Sequence, residues 1–82
     1  MDKELKKAAA DLKAEFNLGK NGITDTFLDS INKNLQAHSL TKIKCSLAED
    51  KDALKYYAQE VAKELGATLV ETRGYTFTLY KE

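Results

Sequence analysis

Leu18-Gly19-Lys20-Asn21-Gly22-Ile23-Thr24 is the stretch on which the reading of this chain turns. Ahead of it, Phe16-Asn17-Leu18 alternates apolar and polar residues as a short strand does. Behind it, Thr24 offers an N-cap and Asp25 places negative charge at the start of a helix. The loop therefore joins a strand to a helix N-terminus. Two glycines three apart let another backbone come close because no Cβ intervenes, and the free N–H groups of a helix start favour an anion. Lys20 supplies charge. Asn21 tolerates left-handed backbone angles and can donate a hydrogen bond. Taken alone, the spacing is a weak signal, more often turn chemistry than a ligand site. It lacks the Gly-Lys-Ser/Thr ending of a nucleotide-hydrolysing phosphate loop and the third glycine of a dinucleotide fingerprint.

Working outward, Leu5, Ala8, Ala9 and Leu12 recur at helical spacing and predict a first helix from about Asp2 to Ala14. After the loop, Phe27, Leu28, Ile31 and Leu35 form the buried stripe of a helix reaching about His38. Ile43, Cys45 and Leu47 then alternate with Lys42, Lys44 and Ser46, which predicts a half-buried strand with two lysines on its polar face. Asp50 caps a third helix, with Leu54, Tyr57, Ala58, Val61, Ala62 and Leu65 inward and Gly66 at its stop. Ala67 to Thr72 and Tyr75 to Tyr80 read as two strands joined near Arg73-Gly74. The expected fold class is α/β (α+β two-layer), in the order α-β-α-β-α-β-β. The expected architecture is a mixed four-stranded sheet with helices packed on one face.

The 82 residues suffice for one hydrophobic core, so residues 1–82 are expected to be a single domain. A composition of 43% hydrophobic and 32% charged residues is that of a globular chain rather than a disordered one. No apolar run approaches the roughly 20 residues of a membrane span. The charged opening Met1-Asp2-Lys3-Glu4-Leu5-Lys6-Lys7 lacks the apolar centre of a signal peptide. One cysteine and one histidine build neither an internal disulfide nor a structural zinc site. A cytoplasmic domain without metal or cofactor is the expectation.

Thirteen basic residues balance thirteen acidic ones, which argues against an ordinary nucleic-acid binder, but the spread is uneven. No acid lies between Asp29 and Glu49, whereas Lys33, Lys42 and Lys44 fall in that gap and His38 adds a further donor. From Glu49 onward seven acids face five bases. A local basic face can exist on a neutral protein, and an ordinary solvated surface accounts for the same charges.

In this setting the glycine loop gains specificity. The loop, the helix with Phe27, Leu28 and Ile31, and the segment Leu40-Thr41-Lys42-Ile43-Lys44 together resemble the CRM domain, named for chloroplast RNA splicing and ribosome maturation. Gly66-Ala67 ahead of Val70, then Gly74 and the closing Leu79-Tyr80-Lys81, extend the resemblance over about Leu12 to Lys81. It implies a fold similar to the C-terminal domain of translation initiation factor 3 and an RNA-binding activity. Stand-alone prokaryotic members are associated with large-subunit precursors. The family's implied RNA contact is the GxxG loop, here Gly19, Lys20, Asn21 and Gly22, comparable to the backbone clamp of KH domains. A true KH domain would join two helices through that loop, whereas here Phe16-Asn17-Leu18 leads into it. The chain departs from the family in lacking a proline near Ala14-Glu15, in its neutral net charge, and in ending on Lys81 where an arginine is usual.

Other conspicuous residues read as structural. His38 has no nucleophile or paired carboxylate near it in sequence and suits a helix end. Cys45 suits a core. Glu49, Asp50 and Asp52 lack the EF-hand pattern and suit helix capping. Tyr56 and Tyr80 could stack on bases or simply cover the surface. The sequence thus points to a monomeric, non-enzymatic RNA-binding protein acting on ribosomal RNA, with no DNA or membrane partner. Lys20, the loop amides, Lys42 and Lys44 would hold phosphates, with Arg73 as a further contact. The alternative is a protein-interaction module docking on a ribosomal or assembly protein.

Overall fold

The computed structural model describes residues 3–81, with side chains from Lys7 onward; the expected helix start at Asp2 and the place of Leu5 in the first stripe lie outside the described residues. Seven elements follow in the expected order: α1 (Lys3–Asp11), β1 (Phe16–Leu18), α2 (Asp25–His38), β2 (Leu40–Cys45), α3 (Lys51–Leu65), β3 (Thr68–Arg73) and β4 (Thr76–Tyr80). The sheet order is β1-β2-β4-β3. β1 runs parallel to β2, and β4 runs antiparallel to both β2 and β3.

Local chemistry sets the helix ends. Thr24 Oγ1 accepts the Phe27 N–H at 3.1 Å, and Asp50 Oδ1 accepts the Ala53 N–H at 2.8 Å. α3 stops where Gly66 turns left-handed and Ala67 N–H donates back to Ala62 O at 2.9 Å. α2 ends on Ser39 at φ 68°, an angle that costs an L-residue about 1 kcal/mol but turns the chain straight into β2. The Ser39 N–H donates to Leu35 O at 2.8 Å, and its carbonyl accepts from Lys81 N–H at 3.0 Å.

α2 and α3 lie on one face of the sheet, as expected. Ile31, Leu35, Leu54, Ala58, Val61 and Leu65 close on Leu18, Ile43, Cys45, Phe77 and Leu79 from the strands. α1 departs from the expectation of helices on a single face. It packs against β2 and β3 without belonging to the α2–α3 core, and its buried Ala9 is joined by Val70, Thr78 and Lys42, which are buried outside that core. The alternation of β2 requires this division, because Thr41, Ile43 and Cys45 point one way and Lys42 and Lys44 the other. Ala8, expected inward, is exposed.

α1 also ends at Asp11 rather than near Ala14. The Leu12 carbonyl accepts a hydrogen bond from Lys42, and Glu15 N–H donates to Lys42 O at 3.1 Å, so the chain is drawn onto β2. In β3 the pairing with β4 shifts register between Leu69 and Glu71, which places a bulge at Val70.

Phe77 is the largest fully buried side chain and sits on the central strand β4. Phe77→Ala is expected to cost about 3–5 kcal/mol, most of the stability of a domain this size. Urea unfolding followed by circular dichroism measures it.

Candidate nucleic-acid interface

The glycine loop stands at the β1–α2 junction as a turn closed by Gly22 N–H donating to Gly19 O at 2.9 Å. Gly22 has φ 70°, and a Cβ built there meets nothing within 4 Å. Its requirement for glycine is thus one of backbone angle, and the space above it is free for a ligand. A Cβ at Gly19 would touch Asn17 Nδ2 at 3.4 Å, an ordinary contact. Beside the turn is an open cleft of about 670 Å³ lined by Asn17, Gly19, Lys20, Asn21, Gly22, Thr24, Thr26 and Phe27. Its lining includes the N-cap and first turn of α2, where orphan backbone donors and the helix dipole favour an anion. Lys20 and Asn21 are exposed at its rim.

Sheet register carries the cleft sideways. Asn17 pairs with Lys44, Lys44 with Thr76, and Thr76 with Arg73. Registered partners share a face, so one row crosses all four strands at the loop end of the sheet. Lys44 and Arg73 are exposed, with Cα atoms two strand spacings apart, about 10 Å. Asn17 joins the row to the cleft, its Oδ1 accepting from Ser46 Oγ at 2.8 Å. Among the described residues Arg73 has one carboxylate partner, Glu71, at a distant 4.0 Å.

Lys42 requires a correction. Expected beside Lys44 on an open polar face, it is only 7% exposed, and its Nζ donates to Leu12 O at 3.1 Å. Both lysines do share a face, but α1 and the turn after it cover the Lys42 end and leave the Lys44 end open. A buried ammonium aimed at a backbone carbonyl anchors the α1 terminus and offers nothing to a phosphate. Of the other cations in the acid-free segment, Lys33 is exposed and paired with Asp29 at 3.1 Å, an i, i+4 contact that contributes little.

Sequence reasoning missed Asn17 and Thr76. Both were visible in outline, as the polar members of alternating strands, but only the register joins them to the glycine loop. The residues read as structural occupy structural positions. Asp50 is the α3 cap, and Cys45 is fully buried. Burial pushes the Cys45 thiol above its ordinary range, outweighing the backbone hydrogen bonds from Ala48 and Leu47 that act in the opposite direction.

A model of the CRS1/YhbY (CRM) domain matches residues 2–81. The chain belongs to that family. A Bacillus subtilis (strain 168) protein named "Probable RNA-binding protein YqeI" is 34% identical over 80 residues, which are 95% of this chain and 80% of that protein. The solution structure of the hypothetical protein SAV1595 from Staphylococcus aureus matches with a TM-score of 0.84 at 24% identity, over 96% of this chain and 81% of that one. The mixed sheet and three helices are therefore a CRM fold, as the loop and its flanks implied.

The two lysines of the CRM domain's β2 should separate in a stability measurement. Lys42→Ala is expected to cost about 1–3 kcal/mol, since it leaves the Leu12 carbonyl unpaired and removes a packed stem. Lys44→Ala should stay within about 0.5 kcal/mol. Thermal melts of both variants check the contrast.

Proposed function

We propose that this CRM domain is a non-enzymatic cytoplasmic RNA-binding protein that contacts ribosomal RNA during large-subunit assembly. The observation that carries the reading is the continuity of the glycine-loop cleft with the row Asn17, Lys44, Thr76 and Arg73. It sets three exposed cations, Lys20, Lys44 and Arg73, along one track on a chain with no net charge. The Bacillus relative's name agrees with it. Phosphates lie at the α2 N-terminus and beside Lys44 and Arg73, while the free space above Gly22 admits the sugar-phosphate backbone. Phe27 is the one ring lining the cleft and none belongs to the row itself, so the track grips backbone more than it reads bases, and RNA shape rather than sequence decides affinity. Tyr75, beside the row, is engaged by Lys51, whose Nζ sits 4.3 Å from the ring centroid.

Two measurements test this on a structured ribosomal RNA fragment. Replacing Lys44 and Arg73 together with Gln should flatten the logarithmic salt dependence of binding by about 1.4–1.8, since each phosphate contact contributes ~0.7–0.9. An unchanged slope would remove the row from the RNA path.

At the loop, Gly22→Ala carries a backbone strain of about 1–2 kcal/mol and Gly22→Asp no more than that, since Asp tolerates left-handed angles better, and only the second adds charge. Gly22→Asp should lose most affinity, and Gly22→Ala should keep more of it. Equal affinities in the two folded variants would reduce the loop to a turn.

A further inference from the structure

On the opposite side of the molecule from α1, a groove runs between α2 and α3. Ile23, Leu28 and Tyr57 form its apolar lining, and its volume is about 400 Å³. Tyr56 lies at the lip, 59% exposed, with its ring edge-on to Tyr57 at 5.5 Å between centroids. A second hollow of about 280 Å³ shares Leu28 and Glu64 with the first and extends the groove toward Leu65 and Lys81. Its length suits a peptide segment rather than a single side chain.

The rim defines the occupant. Asp25 stands on α2, and Glu60 and Glu64 stand one turn apart on α3. None of the three forms an ion pair among the described residues. Like charges at i, i+4 repel along a helix, so an added cation relieves a cost that the free protein carries. Nucleic acid is repelled from such a rim. A second copy docking by the same patch would set acids against acids. The apolar lining, in turn, is of no use to a bare metal ion.

We infer that this groove docks a basic, amphipathic peptide segment of a protein partner. One arginine or lysine head lies over the Tyr56 ring beside Glu60 and a second beside Glu64 a turn further on, and their aliphatic stems and neighbouring apolar side chains cover Ile23 and Leu28. The inference does not rest on the RNA reading: the groove abuts the glycine-loop cleft at the α2 N-terminus, but its acids Glu60 and Glu64 stand on α3, outside the cleft's lining. Together they would let one small protein hold RNA at the glycine loop and a cationic protein segment in the adjoining groove.

The test is an NMR titration of the intact chain with a short Arg/Lys/Leu peptide, alongside a peptide of the same length in which Glu replaces the basic residues. Expected are amide shifts concentrated at Ile23, Leu28, Tyr56, Tyr57 and Glu60, with the basic peptide alone. The double variant Glu60→Gln, Glu64→Gln should weaken binding by roughly three- to tenfold, and Tyr56→Ala by about tenfold. Circular dichroism melts establish that both variants are folded, which the exposed positions of Tyr56 and Glu64 and the half-buried one of Glu60 favour. Undiminished affinity in both folded variants, or shifts spread equally over Glu49 and Asp52, would overturn the proposal as unspecific charge attraction. Sedimentation showing a dimer that Tyr56→Ala abolishes would also overturn it, by giving the groove to a second copy. Shifts of the Tyr56, Tyr57 and Glu60 amides on adding RNA instead of peptide would do so too. The RNA affinity of the Glu60/Glu64 variant, measured separately, should match that of the unaltered chain, and a failure of RNA binding alone would leave the peptide result standing.

Discussion

The register of β4 between β2 and β3 is the constraint on which the rest of this molecule depends. Side chains alternate with a period of two, so a one-residue slip would turn Phe77 and Leu79 out of the core and bring polar threonines in. The same register aligns Lys44, Thr76 and Arg73. Core and candidate interface are thus two readings of one hydrogen-bond ladder. Neither can move without the other.

That ladder also explains how a chain with no net charge presents a basic surface. Positive groups gather where the exposed end of the sheet meets the glycine loop, and the carboxylates Asp25, Glu60 and Glu64 gather along the groove between α2 and α3. Fields from exposed groups fade beyond about 8 Å at physiological salt, so Glu60 and Glu64 on α3 act separately from Lys44 and Arg73 at the sheet end. Net charge therefore says little about either face.

Much of this was legible in the sequence, because helix caps and strand alternation are local signals. Thr24, Asp50 and Gly66 terminate helices where their chemistry says they should. The resemblance carried by residues 18–24 led to the family that residues 2–81 match. What could not be read was contact between distant segments. Nothing near Lys42 announces that the chain after α1 crosses over it, since Leu12 lies thirty residues away in sequence. The expectation of two equivalent lysines came from spacing alone, and spacing specifies a face without saying how far along it a neighbour reaches. Asn17 was passed over for the complementary reason: its importance lies in its register partner, not in its sequence neighbours.

The bulge at Val70 bears on how the sheet meets other chains. β3 and β1 are the two outer strands, and an outer strand offers unpaired backbone groups to any extended segment that comes near. β1 offers only three residues. β3 offers six, but the bulge kinks it after Leu69 and exposed Thr72 and Arg73 occupy its far end. A stray strand finds no long, flat, apolar run to copy on either side. That irregularity protects the sheet from being extended into an aggregate, and it does so with a single residue out of step.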